Sequence, residues 1–291
     1  MLTCTAPVHR ARTLAEALAQ RAAHPHATVL AGGTDLMVGL ELGTVAPVAV
    51  LDLWACHELR AITADGRTVG ALATWTDVAN HPALPDALRE CARTVGAPQI
   101  QNRGTVGGNI VNASPAGDSL PLWLALDAVF ELASVRGTRH VPASEFWLAY
   151  RKTALAADEL LTRVHVHPHA GDRLHYRKVG TRLAQAISKV CLAGRLRVVD
   201  GVVTDARVAL GSVAPSHLLD RNLFDFLSLK PSGEPDPDGD IGFDVDPTFE
   251  SHAPVPADPT SASQGSVAQP VPVSFIARAR GTPALDGESA S

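Results

Sequence analysis

Two glycine-rich stretches are the residues in this chain whose types and spacing could do chemistry. Ala31-Gly32-Gly33-Thr34 directly follows a β-prone run, and Gly104-Thr105-Val106-Gly107-Gly108-Asn109 repeats the theme seventy residues later. A buried pyrophosphate needs backbone N–H groups aimed at it and no side chains in the way, and glycine permits both the close approach and the positive φ angles required. Thr34, Thr105 and Asn109 would add polar donors. Either stretch alone is ordinary turn chemistry. Neither is a P-loop, because no Gly-Lys-Ser/Thr follows, and neither gives the Gly-x-Gly-x-x-Gly of a dinucleotide-binding strand–helix turn.

Other candidates are weaker. His165-Val166-His167-Pro168-His169 invites a metal reading, since alternate residues of a strand share a face, but no Cys or acidic cluster nearby in sequence completes a ligand set. A solvated strand edge is the expectation, with no metal. Ser114 and Ser119 sit in no nucleophile elbow. Asp158 and Glu159 are adjacent and should mark a turn. The four cysteines, Cys4, Cys56, Cys91 and Cys191, are scattered singly, so they read as small buried hydrophobes rather than ligands of a zinc ion or an iron–sulfur cluster.

Several elements must position the two stretches. Thr13-Leu14-Ala15-Glu16 has the form of a capping box opening a helix that should end before Pro25. Thr28 to Leu30 and Val48 to Leu53 read as strands on either side of the first glycine stretch. A strand over Thr68 to Leu72, a short helix capped by Thr76 and a longer one over Pro85 to Val95 precede the second. Beyond it, Ala128 to Ser134, Leu160 to Val166, His175 to Lys178 and Val202 to Leu210 are strand-like. Ala186 to Leu196 suits strand or helix. Such mixing predicts an α+β fold rather than repeated βαβ units. With 291 residues, 46% of them hydrophobic, there is room for about two domains. The net charge of −5 gives no basic footprint for nucleic acid, and no apolar run suits a membrane span, so a soluble cytoplasmic protein is expected. From Pro231 prolines and acidic residues crowd the chain, and Lys and Arg are missing to Ala277, which predicts a disordered tail over 230–291.

Taken together, Ala31-Gly32-Gly33-Thr34-Asp35-Leu36, Asn102-Arg103-Gly104-Thr105-Val106-Gly107-Gly108-Asn109 and Asn112-Ala113-Ser114-Pro115-Ala116-Gly117-Asp118 closely resemble the FAD-binding subunits of xanthine dehydrogenase, carbon monoxide dehydrogenase and related molybdenum hydroxylases. Tyr150-Arg151-Lys152-Thr153, Tyr176-Arg177-Lys178-Val179-Gly180-Thr181-Arg182 and Ala186-Ile187-Ser188-Lys189-Val190 are similar to the same family. The resemblance implies a PCMH-type (vanillyl-alcohol-oxidase-like) fold: two small subdomains over 1–170 clasping FAD, then a shortened C-terminal α+β domain over 171–229. It places Val29, Leu30, Ala31, Gly32, Gly33, Thr34, Asp35 and Leu36 around the pyrophosphate. Thr105, Gly107, Gly108 and Asn109 would hold the phosphates and ribose from the other side. Asp118 would bind the adenosine end as a loop carboxylate that adds little to the core, and Leu161 and Lys178 would contact the flavin. It further implies an electron-transfer role with no catalytic side chain, non-covalent FAD, an iron–sulfur subunit and a molybdenum-cofactor subunit as partners, and NAD⁺ or another acceptor. The shortened C-terminal region leaves two alternatives: a stand-alone flavin oxidase, or a non-catalytic relative that keeps the fold.

Overall fold

A computed structural model describes residues 5–169, 171–182, 185–200, 202–213 and 218–220. The expected tail over 230–291 lies outside the described residues, as do Cys4 and the end of the shortened C-terminal region beyond Asp220. What is described has the expected α+β architecture.

The chain opens with strand β1 (Val8–Arg10), helix α1 (Leu14–Ala23), strand β2 (Thr28–Leu30), helix α2 (Leu36–Glu41) and strand β3 (Val50–Asp52). The three strands form a small parallel sheet in the order β1-β3-β2. Thr13 caps α1 as expected, its hydroxyl accepting the Glu16 amide. The return bond differs from the expected box, because the Glu16 carboxylate reaches the amide of Arg12, one residue before the cap. Ala11, Ala17, Ala27, Leu51, Leu53, Cys56, Leu59, Leu72 and Leu160 close a compact core beneath this sheet.

A second sheet runs β4-β9-β5-β6, all antiparallel, from β4 (Thr68–Gly70), β5 (Val129–Ser134), β6 (Gly137–Pro142) and β9 (Leu160–His165). Between β4 and β5 lie α3 (Trp75–Asn80), α4 (Asp86–Thr94), α5 (Pro98–Gln101), α6 (Val106–Asn112) and α7 (Leu120–Ala125). Helix α8 (Ala143–Phe146) and the hairpin β7 (Trp147–Ala149) and β8 (Lys152–Thr153) fill the gap before β9. The short helix expected to start at Thr76 starts two residues earlier. Thr74 is the cap, and its hydroxyl and amide exchange bonds with Asp77, so Asp rather than Glu completes the box. Such a cap is worth about 1 kcal/mol.

The third sheet is an antiparallel meander of β10 (Asp172–Gly180), β11 (Ser188–Val199), β12 (Val202–Gly211) and β13 (Leu218–Asp220). The ambiguous Ala186 to Leu196 stretch is therefore a strand. Tyr176, Ala193 and Ala209 from this sheet join the main core, whose fully buried members include Trp75, Trp123, Phe130 and Phe146. The third sheet thus completes the core of the second layer. Among the described residues no helix is long and apolar enough to cross a membrane.

Candidate functional site: two glycine loops and a buried ion pair

Strand β2 delivers the chain to the first loop, anchored where the Leu53 amide donates to the Leu30 carbonyl. Gly33 turns with φ +80°, a conformation that side chains rarely adopt. Gly32 is dictated by space, since a Cβ there would lie 1.8 Å from the Arg103 carbonyl oxygen. The backbone thus makes a close approach to the chain just ahead of the second loop. Among the described residues, the amides of Gly32, Gly33, Thr34 and Asp35 and the Thr34 hydroxyl have no hydrogen-bond partner. None of these four residues is buried, so their amides face outward and are open to an acceptor from a ligand. Leu36 follows directly and opens α2.

The second stretch is brought against the first, but it is built differently from expectation. It is the start of a helix, with Thr105 as N-cap and Gly107, Gly108 and Asn109 inside α6. Most of its amides are spent within the chain: Val106 donates to Ala73, Gly107 to Ala71, Gly108 to the Thr105 hydroxyl and Asn109 to the Thr105 carbonyl, while the Thr105 amide has no partner among the described residues. Gly107 is required by packing, since a Cβ there would lie 2.7 Å from that of Ala71. Gly104 and Gly108 face the first loop. A Cβ on Gly104 would lie 3.4 Å from the Thr34 hydroxyl oxygen, and one on Gly108 would lie 4.0 Å from the Ala31 side chain. The free donors are therefore mostly in the first loop, and the second contributes the Thr105 amide and the bare surfaces of Gly104 and Gly108.

Beside the joint stands a group that glycine spacing could not reveal. The Trp54 indole, two residues past β3, has the Arg103 guanidinium 3.6 Å from its ring centroid and that of Arg60 at 4.0 Å. Arg60 also donates to the Trp54 carbonyl at 2.7 Å, and Arg103 Nε reaches toward the Gly32 carbonyl at 3.5 Å. One cation, Arg103, thus sits next to the unpaired amides, and Arg60 shares its aromatic partner; each is held by the ring at roughly 0.5–1 kcal/mol where exposed. Arg103 lay within the quoted motif. Its pairing with Trp54 depends on the β3 turn and has no sequence-local signal.

Asp118 and Lys178, read separately as ligand contacts, are partners of each other. Lys178 Nζ donates to Asp118 Oδ2 at 2.7 Å and to the Thr94 carbonyl at 2.9 Å. The side chains of Lys178 and Asp118 are only 10% and 11% exposed. Ser188 donates to the other carboxylate oxygen at 2.5 Å, and the Cys191 thiol approaches that oxygen at 3.6 Å. The expectation that Asp118 adds little to the core is therefore corrected: it ties the loop after α6 to α4, β10 and β11. Next to it, Ser119 donates to Asn109 Oδ1 at 2.7 Å and accepts from the Trp123 indole at 3.1 Å, which links this network to α6. Leu161 is 6% exposed on β9, in the main core, and β9 packs against α6.

Cys56, Cys91 and Cys191 are buried free thiols. Burial, followed by Glu58, Glu16 and Asp52, pushes the Cys56 thiol up to about 11. Burial also raises Cys91 and Cys191. Neutral thiols of this kind behave as small hydrophobes, not nucleophiles or metal ligands.

The sequence matches the FAD-binding domain of molybdopterin dehydrogenases over residues 3–169 and the C-terminal domain of carbon monoxide dehydrogenase flavoproteins over 175–232. It is 36% identical over 222 residues to the xanthine dehydrogenase FAD-binding subunit of Escherichia coli O157:H7, covering 72% of this chain and 75% of that one. It is 37% identical to the nicotinate dehydrogenase FAD-subunit of Eubacterium barkeri, covering 64% of this chain and 66% of the relative. Among solved structures, a carbon monoxide dehydrogenase from Hydrogenophaga pseudoflava superposes with a TM-score of 0.71 at 30% identity, over 75% of this chain and 78% of that one. The chain belongs to the FAD-binding subunits of the molybdenum hydroxylase family, and is an oxidoreductase subunit whose cofactor is FAD.

Proposed function

We propose that the first loop, from Val29 and Leu30 through Ala31, Gly32, Gly33, Thr34 and Asp35 to Leu36, holds the FAD pyrophosphate, and that the chain carries electrons between partner subunits and a final acceptor. The observation that carries the first half is the run of unpaired amides from Gly32 to Asp35 beside the Arg103 guanidinium. A diphosphate anion would satisfy those donors and meet the Arg103 cation, while the Gly32 position admits no side chain. The residues present fit the group. Thr105, Gly107, Gly108 and Asn109 enter as the facing wall, which permits approach of the phosphates and ribose because Gly108 carries no side chain there, and which offers the unpaired Thr105 amide.

Asp118, Lys178 and Leu161 enter the proposal as positioning residues. Asp118 fixes the Lys178 ammonium and, through the neighbouring Ser119, the end of the loop joined to Asn109. Leu161 supports α6 from β9. When bound, FAD supplies electron transfer at its isoalloxazine, one electron at a time or two together. The protein's part is to bind and orient it.

Support for partner subunits comes from two directions. The four cysteines stand singly in sequence with no Cys-x-x-Cys pair, which supports iron–sulfur clusters held by another chain. The related structure is of an enzyme whose name specifies a molybdenum cofactor. NAD⁺ or another oxidant is the proposed acceptor. The test has two arms. The purified chain should show flavin absorbance that acid precipitation releases into the supernatant, and colour left in the pellet would refute non-covalent binding. A tagged chain should co-purify with iron–sulfur and molybdenum subunits, and substrate should bleach its flavin only in their presence. Bleaching by an organic substrate without partners would make it a self-contained oxidase.

A further inference from the structure

Strands β5, β6 and β9 bring three potential metal ligands to one face of the second sheet, away from the glycine loops. Glu131 on β5 lies directly opposite His140 on β6. On the other side Glu131 pairs with Arg163 of β9, and His165, two residues further along β9, points to the same face. The sequence suggested His165 and lacked partners for it. Those partners are remote in the chain, and only the strand order β9-β5-β6 reveals them.

We propose that Glu131, His140 and His165 form a binding site for a late first-row divalent cation, with zinc as the expected ion. The three ligand atoms lie within 4.8 Å of one another. Glu131 Oε2 is 3.3 Å from His165 Nε2 and 3.9 Å from His140 Nε2. Ligands bound at about 2.0–2.1 Å in a tetrahedral arrangement sit roughly 3.3 Å apart, so the two Glu131 distances need only sub-ångström closure and the two imidazoles must approach by at most about 1.5 Å. The His140 side chain is 55% exposed, so it is free to make that movement.

The groups behind the ligands are arranged as a metal site requires. The Thr68 hydroxyl lies 3.2 Å from His165 Nδ1. With the proton on Nδ1 donated to that hydroxyl, Nε2 is left as a lone-pair donor facing Glu131. The other carboxylate oxygen, Oε1, accepts from the Thr162 hydroxyl and from Arg163, each at 2.6 Å. Oε2 is thereby turned toward the two imidazoles. Arg163 offsets the carboxylate charge, so attraction for a hard cation is weak and affinity rests on imidazole. That selects zinc, cobalt, nickel or copper over magnesium or calcium. Three protein ligands leave one position toward solvent, which water can fill. A bound ion would cross-link three adjacent strands.

The test uses the untagged full chain, stripped with chelator and titrated with zinc against a chromophoric competitor. Cobalt(II) serves as the spectroscopic probe, read by its visible ligand-field bands. One equivalent should bind, and magnesium should not compete. His140→Ala and Glu131→Gln should each weaken binding at least tenfold. Thr68→Val, which removes only the hydroxyl behind His165, should weaken it about tenfold. His167→Ala, at an exposed histidine just past β9, should bind as wild type does. Flavin absorbance of each variant reports that the fold is intact. No uptake by the wild type, or uptake by His140→Ala equal to the wild type, would overturn the site. Loss of binding in His167→Ala would also overturn it, by moving the ion elsewhere.

Discussion

Removing the Asp118 carboxylate tests the buried network directly, because sequence and structure give opposite expectations. As a loop residue serving only a ligand, Asp118→Ala would leave the apo-protein as stable as before. In the structure the substitution strands the Lys178 ammonium, 10% exposed, with the Thr94 carbonyl as its remaining partner. It also removes the acceptor of Ser188. Breaking a buried pair from one side costs about 3–5 kcal/mol, since the surviving charge stays desolvated. For a domain near 200 residues, each kcal/mol moves Tm by about 2–4 °C. A fall of roughly 6–20 °C is therefore expected for Asp118→Ala without flavin. Asp118→Asn keeps an acceptor oxygen and loses the charge, so its cost should be smaller, about 1.5–3 kcal/mol. The double variant Asp118→Ala/Lys178→Met removes both charges and should be more stable than Asp118→Ala alone. Urea denaturation of apo wild type, Asp118→Ala, Lys178→Met and the double variant, followed by far-UV circular dichroism, gives the cycle, with Asp118→Asn measured beside it. If Asp118→Ala lies within about 0.5 kcal/mol of the wild type, or if the double variant is the sum of its parts, the pair is not a buried structural unit and the reasoning fails.

Three further outcomes are expected. Gly32→Ala places a carbon 1.8 Å from the Arg103 carbonyl oxygen and must push the loops apart, so FAD affinity measured by flavin fluorescence titration should fall at least tenfold; unchanged affinity would show that the joint is not the binding site. Arg103→Ala removes a cation beside the unpaired amides, and should weaken FAD binding by about 1.5–3 kcal/mol while brightening Trp54 emission in the apo-protein; equal affinity would exclude Arg103 from the phosphate site. Arg139, hydrogen-bonded to Glu159 at 2.7 Å, holds that carboxyl below its usual range, so the pair's contribution is complete above about pH 4.3 and fades as pH falls through the lowered native value. Arg139→Ala should therefore cost stability near pH 7 and little in strong acid, and a pH-independent difference in urea midpoint would contradict this.

What the sequence made legible, and what it left hidden, follows from the range of each interaction. The strands around the first loop, the Thr13 cap and the apolar runs of β5 and β9 were readable because alternation and capping are decided within a few residues. Local chemistry also explains the near misses. Thr74 and Thr76 are both plausible caps by type, and the choice falls to Thr74 because Asp77 stands three residues on and completes the box. Glu16 serves Arg12 rather than Thr13 for a reason equally close at hand, a free amide one residue back.

The two glycine loops lay further apart but were still recoverable, because a backbone that must approach another backbone leaves a signature in residue type. Gly32 against Arg103 is the clearest case. Side chains that meet across the fold leave no such trace. Nothing near Asp118 announces Lys178, sixty residues on, and nothing near Lys178 announces Thr94. An aspartate after a glycine looks the same whether it faces a ligand or a buried ammonium. The same blindness made the second glycine stretch look like an amide cradle: its glycines serve close packing against Ala71 and the first loop, while most of its amides bond to Ala71, Ala73 and the Thr105 cap. It also hid the neighbours of His165, since strand order alone sets Glu131 between His140 and His165. Residue type thus reported where the backbone must be bare, and only topology reported which charges meet.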